Sequence, residues 1–356
     1  MIKHPKHVFG ISEDGASLRI VHLVRDRAEV YLNGMDLVDL DNSLYHLPEA
    51  AIPTAEPEKN SWEDNGNDNS EITLDEFDAG YTSEYKLTPW ENMLNGYELA
   101  KGVLAINVND ENIIKTLDVI RRKTLFFGIL WFNDQKKGGS LTPIYSKSAV
   151  RKFAKSRLSP EEYKAKEWHG SHVMLNESHN FWLHRGNNRL QKLLEDYAGK
   201  HKLHLFYQLA DANDIALTDY FRIHALAEGK RTLLLYMGHD YRKAFIFEKG
   251  VWTNTLTLQI SHEHPEPEII YSKLALALDS AQLSDPDQIV ICGDLASREL
   301  LDYLVKQYSR ETVSLLTFPK LIINNDRAEQ FDAFYFAQFA LPIALAYKAL
   351  HPDDGR

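Results

Sequence analysis

Apolar positions repeat with the period of strands at the start of the chain, with that of helices in its middle, and with that of strands again from about Thr232. VFGIS, beginning at Val8, is an apolar run closed by the turn-rich SEDGAS. In SLRIVHLV, Leu18, Ile20 and His22 alternate with Arg19, Val21 and Leu23, as in a strand covered on both faces. RAEVYLNG follows the turn Arg25-Asp26-Arg27. Strand, turn, strand, turn, strand predicts an antiparallel meander. KGVLAINVN predicts another strand, Asn109-Asp110 a turn into the next, and LFFGILWF, a dense apolar run of strand length, a core strand or the wall of a docking groove. LSPEEYKAKEW opens a helix with Ser159 at N-cap, Pro160 at N1 and Glu162 at N3. GNNRLQKLLEDYAGKHK and ANDIALTDYFRIHALAEG read as helices on either side of a strand in HLFYQL.

The second half begins with another meander: RTLLLYMG, the turn at His239-Asp240, KAFIFEKG, and VWTNTLTLQI after Lys249-Gly250. A helix in IIYSKLALALDSAQL, a strand in DPDQIVICGD, an amphipathic helix in SRELLDYLVKQY and a strand in VSLLTFPK follow. DAFYFAQFALPIALAYKAL predicts a closing apolar helix interrupted at Pro342.

Charge changes this picture at one place. The chain of 356 residues carries a net −11, and from Glu49 to Lys86 eleven acids face two bases. With Pro48, Pro53, Pro57 and the polar run SWEDNGNDNSE, residues 47–87 predict a mobile acidic insertion. The near-neutral remainder argues against a nucleic-acid binder. From Gln135 to Arg157 there are seven Lys/Arg and no acid, a solvated face, an anionic-surface contact or a docking strip for the acidic insertion. The single cysteine, Cys292, excludes a disulfide framework or a Cys-based zinc site and fits a cytoplasmic protein. No apolar run is long enough to span a bilayer.

The same unit thus occurs twice, a three-strand meander followed by strands crossed by helices. HVFGISEDGASLRIVHL, LLYMGHDYRKAFIFEKGVW, IVICGDLASRELLDYL and FALPIALAYKAL resemble, in that order, the first phosphate loop, second phosphate-loop hairpin, strand–glycine–helix near adenosine and closing helix of the PilM-type type IV pilus assembly ATPases. KGVLAINVNDENIIKTLDV resembles that family's inserted subdomain, and the stretch from Thr253 to Asp294 also resembles a reduced actin-like bacterial domain of unknown function. The resemblance implies an α/β protein with two ribonuclease-H-like lobes (the actin-like ATPase fold), mixed sheets with antiparallel meanders and a reduced second lobe. It divides the chain into a first lobe at 1–225, with an inserted subdomain at about 100–185, and a second at 226–350. It also implies a nucleotide cleft lined by Ser12, Asp14, Gly15 and Ser17 on one wall and by Gly238, His239, Asp240 and Gly293 on the other.

This sequence departs from the family there. Aligned on Gly10, the family's aspartate falls on Ser12 and its glycine on Asp14, a carboxylate where phosphate should approach. Using Asp14-Gly15 instead lengthens the loop by two residues. The family's second double glycine is Gly293-Asp294, and only about thirty residues separate Ile260 from Ile289, where the family carries a long nucleoside-gripping subdomain.

The residues leave several chemistries open. SEDGAS is either a phosphate cradle or an ordinary hairpin turn. Glu13, Asp14, Asp240 and Asp294 follow successive strands, as the two-metal carboxylates of a ribonuclease-H-like nuclease would. His169 and His172, His201 and His204, and His262 and His264 invite a zinc reading against a structural one. The expectation is a cytoplasmic, non-catalytic actin-like scaffold without metal or cofactor, binding a protein or peptide near residues 103–132. A Mg-ATP-dependent ATPase and a metal-dependent nuclease are the alternatives.

Overall fold

The computed structural model describes residues 6–15, 17–40, 87–108, 113–116, 129–132, 142–145, 155, 159–165, 168–175, 178–185, 188–224, 229–239, 242–260, 265–323 and 332–350. The acidic segment 47–86 and most of the basic stretch lie outside the described residues, and so does their expected contact. β1 (His7–Asp14), β2 (Ser17–Asp26) and β3 (Glu29–Asp39) form the first meander. Helix α1 (Pro89–Asn95) and a single 3₁₀ turn lead into β4 (Val103–Val108). Next come β5 (Ile113–Thr116), the small hairpin β6 (Ile129–Phe132) and β7 (Thr142–Tyr145), α2 (Pro160–Ala165), and the hairpin β8 (Trp168–Leu175) and β9 (Ser178–Arg185). The half ends with α3 (Asn188–Lys200), β10 (Tyr207–Ala212) and α4 (Asn213–His224).

The second meander is β11 (Thr232–Met237), β12 (Arg242–Glu248) and β13 (Val251–Thr257). After it stand α5 (Pro267–Ser280), β14 (Gln288–Cys292), α6 (Arg298–Gln307), β15 (Val313–Leu315), β16 (Leu321–Ile323), α7 (Ala333–Gln338) and α8 (Ala340–Leu350).

The two halves repeat one sheet order. The first sheet runs β3-β2-β1-β4-β10 and the second β13-β12-β11-β14-β15. In each, the meander is antiparallel while the fourth and fifth strands lie parallel to the first. The expected duplication is therefore present at the level of strand pairing. Each half also lends strands to the other's territory. β16 pairs in parallel with β3, and β8, β9 and β5 extend the second sheet beyond β13. The division expected at 225/226 is thus crossed in both directions.

Every central strand buries both faces, which is why these strands read as near-continuous apolar runs. On the outer face of the first sheet, Phe9, Ile11, Leu18 and Ile20 pack with Trp90 and Leu94 of α1 and Leu190 and Leu194 of α3. On the outer face of the second, Leu233, Leu235 and Met237 pack with Leu274 of α5 and Leu300 of α6. The inner faces share one core, in which Val8, Val21 and Leu23 meet Leu234, Tyr236 and Phe245 around α4 and α8. Helix α8 crosses β1 where the strand has Gly10. A Cβ there would stand 2.0 Å from the Pro342 carbonyl oxygen, so only glycine admits the helix at this depth.

Some elements differ from the sequence expectation. Helix α1 was unforeseen; it is stabilised by a capping box in which the Glu91 side chain accepts from the Thr88 amide at 2.9 Å, with Pro89 in the first turn. The β8–β9 hairpin was also unforeseen, and it puts His169 and His172 on β8. The strand in HLFYQL begins at Tyr207, and the closing helix breaks at Phe339 rather than at Pro342. Pro342 sits in the first turn of α8, where its missing N–H has no intrahelical partner to lose.

Half-buried His22 stacks on Phe9 at 4.4 Å, and its Nε2 lies 3.2 Å from Nδ1 of His7. Burial, reinforced by repulsion from His7 and opposed by Glu98, holds its pKa down to about 4. Below pH 6.5 the unfolded chain gains a proton that the folded state refuses, so stability should fall as pH drops toward 4 and then level off. The shift alone corresponds to about 3 kcal/mol, reduced to about 2 by solvent screening at this partly exposed ring. Urea melts between pH 7 and 4 should show this decline and its flattening in His22→Phe. Equal slopes in the two proteins would assign the acid sensitivity to other groups.

Candidate functional site

The site lies where the C-terminal ends of the inner strands of the two sheets meet. The SEDGAS segment forms the hairpin turn: β1 and β2 stay paired to Asp14↔Ser17, and Gly15 opens the turn at φ 61°. The Ser17 hydroxyl donates to the Asp14 carbonyl oxygen at 2.9 Å and accepts from Nη1 of Arg19 at 2.7 Å. Ser12 is buried within β1. Gly238 and His239 follow β11 directly, while Asp240 lies outside the described residues.

Asp14 spans the gap. Its carboxylate Oδ2 accepts from the Tyr236 hydroxyl at 3.0 Å and from the His239 amide at 3.2 Å. Burial, then the negative charges of Asp14 and Asp294, pushes the Tyr236 hydroxyl well above its ordinary pKa, so it stays a donor. Beside this contact, Nη1 of Arg19 pairs with Oδ2 of Asp294 at 2.6 Å, with both side chains at most 5% exposed. A third link joins Nζ of Lys243 on β12 to Oδ2 of Asp214, in the first turn of α4, at 2.7 Å. In each link one partner belongs to residues before 225 and the other to residues after 226.

Beneath these links, Asn107 at the end of β4 accepts from the Glu13 amide at 3.0 Å and donates to the Glu13 carbonyl at 2.9 Å and to Oδ1 of Asn213 at 3.0 Å. Arg189 reaches the Glu13 carboxylate at 2.9 Å. Gly293 has φ 99°, and a Cβ there would meet the Met237 backbone at 2.8 Å, so its absence of a side chain serves close packing against β11. Burial, then Asp294, raises the Cys292 thiol pKa, which leaves it an unreactive core group.

The structure therefore brings Asp14, Ser17, Gly238 and His239 together, with Gly293 behind them. Glu13, Asp14 and Asp294, three of the four suggested nuclease acids, are each engaged by a cation or by hydrogen-bond donors. Among the described residues no three His, Cys, Asp or Glu side chains converge on a metal position. Sequence reading missed Arg19, Asn107, Arg189, Asp214, Tyr236 and Lys243. Arg19 did leave a signal: it shares its strand face with Val21 and Leu23, and a cation on an apolar face calls for a buried acid.

Between β13 and β14 the described residues hold only α5, consistent with the short connection noted in the sequence. No family model matches the chain, and no curated protein matches it. Among solved structures, one titled as a PilM-PilN type IV pilus biogenesis complex aligns with a TM-score of 0.55, at 12% identity, over 96% of this chain and 98% of that chain. Together with the repeated strand order, this decides the architecture.

The chain has the actin-like ATPase fold.

Weaker likenesses accompany it. A Bacteroides thetaiotaomicron protein described as having an actin-like ATPase fold and unknown function aligns at TM-score 0.43 and 11% identity, over 96% of this chain and 99% of that one. A Cytophaga hutchinsonii exopolyphosphatase aligns at 0.36 and 10%, over 97% and 89%. The three cross-links tie residues of the first meander and α4 to residues from β11 onward. Among the described residues no helix is long and apolar enough to cross a membrane.

Proposed function

We propose that this chain is a non-catalytic actin-like module that acts in the cytoplasm by binding a protein partner, with its interlobe cleft occupied by its own side chains. One observation carries the reading: the Asp14 carboxylate already takes the His239 amide, the kind of backbone donor that a phosphate loop offers to a nucleotide. A triphosphate would have to displace that carboxylate and would meet Asp294 next to it, held by Arg19. The residues present therefore do not fit Mg-ATP. Partner binding is inferred from the similar protein, whose structure is named as a PilM-PilN complex. Residues 103–132 are where we would map a partner first.

Thermal melting with Mg-ATP tests this directly. A ligand held at a hundred times its dissociation constant stabilises a folded protein by about 2.7 kcal/mol, a rise of several degrees for a chain of this size. We expect a shift within about 1 °C at millimolar Mg-ATP. A rise of several degrees would replace this reading with that of a working nucleotide-binding protein.

A further inference from the structure

We infer that Asp14 is a tethered ligand of the second lobe, and that with its flanking ion pairs it latches the two lobes in one closed arrangement without any bound molecule. The inference deepens the reading above but concerns the ligand-free chain. Its basis is the character of the three links. Asp14 is 2% exposed, and the donors it satisfies, the Tyr236 hydroxyl and the His239 amide, both belong to the opposite lobe. Arg19 and Asp294 are almost wholly withdrawn from water, and the Lys243–Asp214 side chains are 12% and 5% exposed. Contacts this dry are hardly screened by salt, unlike surface pairs.

The links also support one another. Ser17 binds the Asp14 carbonyl and receives Arg19, so the arginine that reaches Asp294 is oriented by the same turn that presents Asp14. His239 closes the circuit, with its Nε2 3.8 Å from Asp294. Opening the lobes would strand several buried charges at once, so the latch should release as a unit. A partner would then meet one rigid surface rather than two moving lobes.

The test is amide exchange on the full chain, comparing wild type with Asp14→Ala and Asp14→Asn, each with and without added sodium formate. Formate is the probe because it supplies the missing carboxylate. In Asp14→Ala, exchange at the His239 amide should rise roughly tenfold or more over wild type, and formate should reverse much of that rise. Formate should leave wild type unchanged. Asp14→Asn keeps the shape and an acceptor oxygen, so it should fall between the two, and it carries the test if the alanine variant does not fold. Wild-type exchange at His239 in the variants would overturn the latch. So would faster exchange spread evenly over the chain with no response to formate, which marks general destabilisation. Mg-ATP binding to wild type would instead defeat the functional reading, while the exchange data would still decide the latch.

Discussion

Gly10→Ala is expected to destabilise the protein by more than about 3 kcal/mol, a large effect for one methyl group. The added Cβ would lie 2.0 Å from the Pro342 carbonyl oxygen, 2.9 Å from its carbon and 3.0 Å from Cβ of Ala346. Two of these atoms are backbone, so no rotamer change relieves the clash and α8 must lift from the sheet. That helix sits in the core shared by both sheets, so the disturbance reaches Val8 and Tyr236 together. The control is Gly199→Ala near the end of α3, where a Cβ meets nothing within 4 Å and a helical alanine gains at most about 1 kcal/mol. Urea unfolding of both variants gives the comparison. Equal stabilities would mean that the helix does not press on Gly10 in solution.

Lys348→Met should cost about 3–5 kcal/mol, for a different reason. Its Nζ lies 2.6 Å from Oδ2 of Asp211 and 2.7 Å from Oδ2 of Asp219, and both carboxylates are almost fully buried. Burial by itself would depress the lysine pKa, but the two carboxylates outweigh it and raise the group above its ordinary value. Burial already raises Asp219, against the pull of Lys348 and Arg222. Removing the ammonium leaves two carboxylates buried without their shared cation, and Asp219, already raised by burial, loses the largest pull that holds it down, so its folded-state pKa rises further above that of the unfolded chain. The folded variant then binds protons more readily than the unfolded one, so lowering the pH from 7 to 5 should restore part of its stability. A pH-independent loss would point to lost packing rather than to uncompensated charge.

The sequence carried the fold more clearly than the site, and particular residues show why. The runs around Val8, Leu18 and Leu233 are apolar on both faces because sheets covered on both sides need them so, and that signal is local. The repeat of meander and crossing strands was therefore readable without coordinates. Helix α1 was hidden because the acids before it dominate any average taken across the segment, although Thr88, Pro89 and Glu91 carry the same start signal as Ser159, Pro160 and Glu162. Asp14 was noticed, but as an obstruction to phosphate. Its partner Tyr236 lies 222 positions away, and no periodicity joins the two. Lys243 and Asp214 escaped for the same reason: each looks like a routine charge at an element's edge until the lobes are brought together. Gly293 was read as the glycine kept from the family's pair, with Asp294 in place of the second, and the backbone of Met237 is by itself enough to require it.

The return of the chain to its first sheet has a consequence for biosynthesis. β16 pairs with β3, and α8 covers β1, β2 and β4, so these two late elements complete a layer that β1 begins. While the polypeptide is still leaving the ribosome, the first meander can pair its own strands but leaves an apolar surface uncovered until α8 emerges. A translational stall before α8 would therefore leave the strand face at Gly10 and its neighbours open to aggregation.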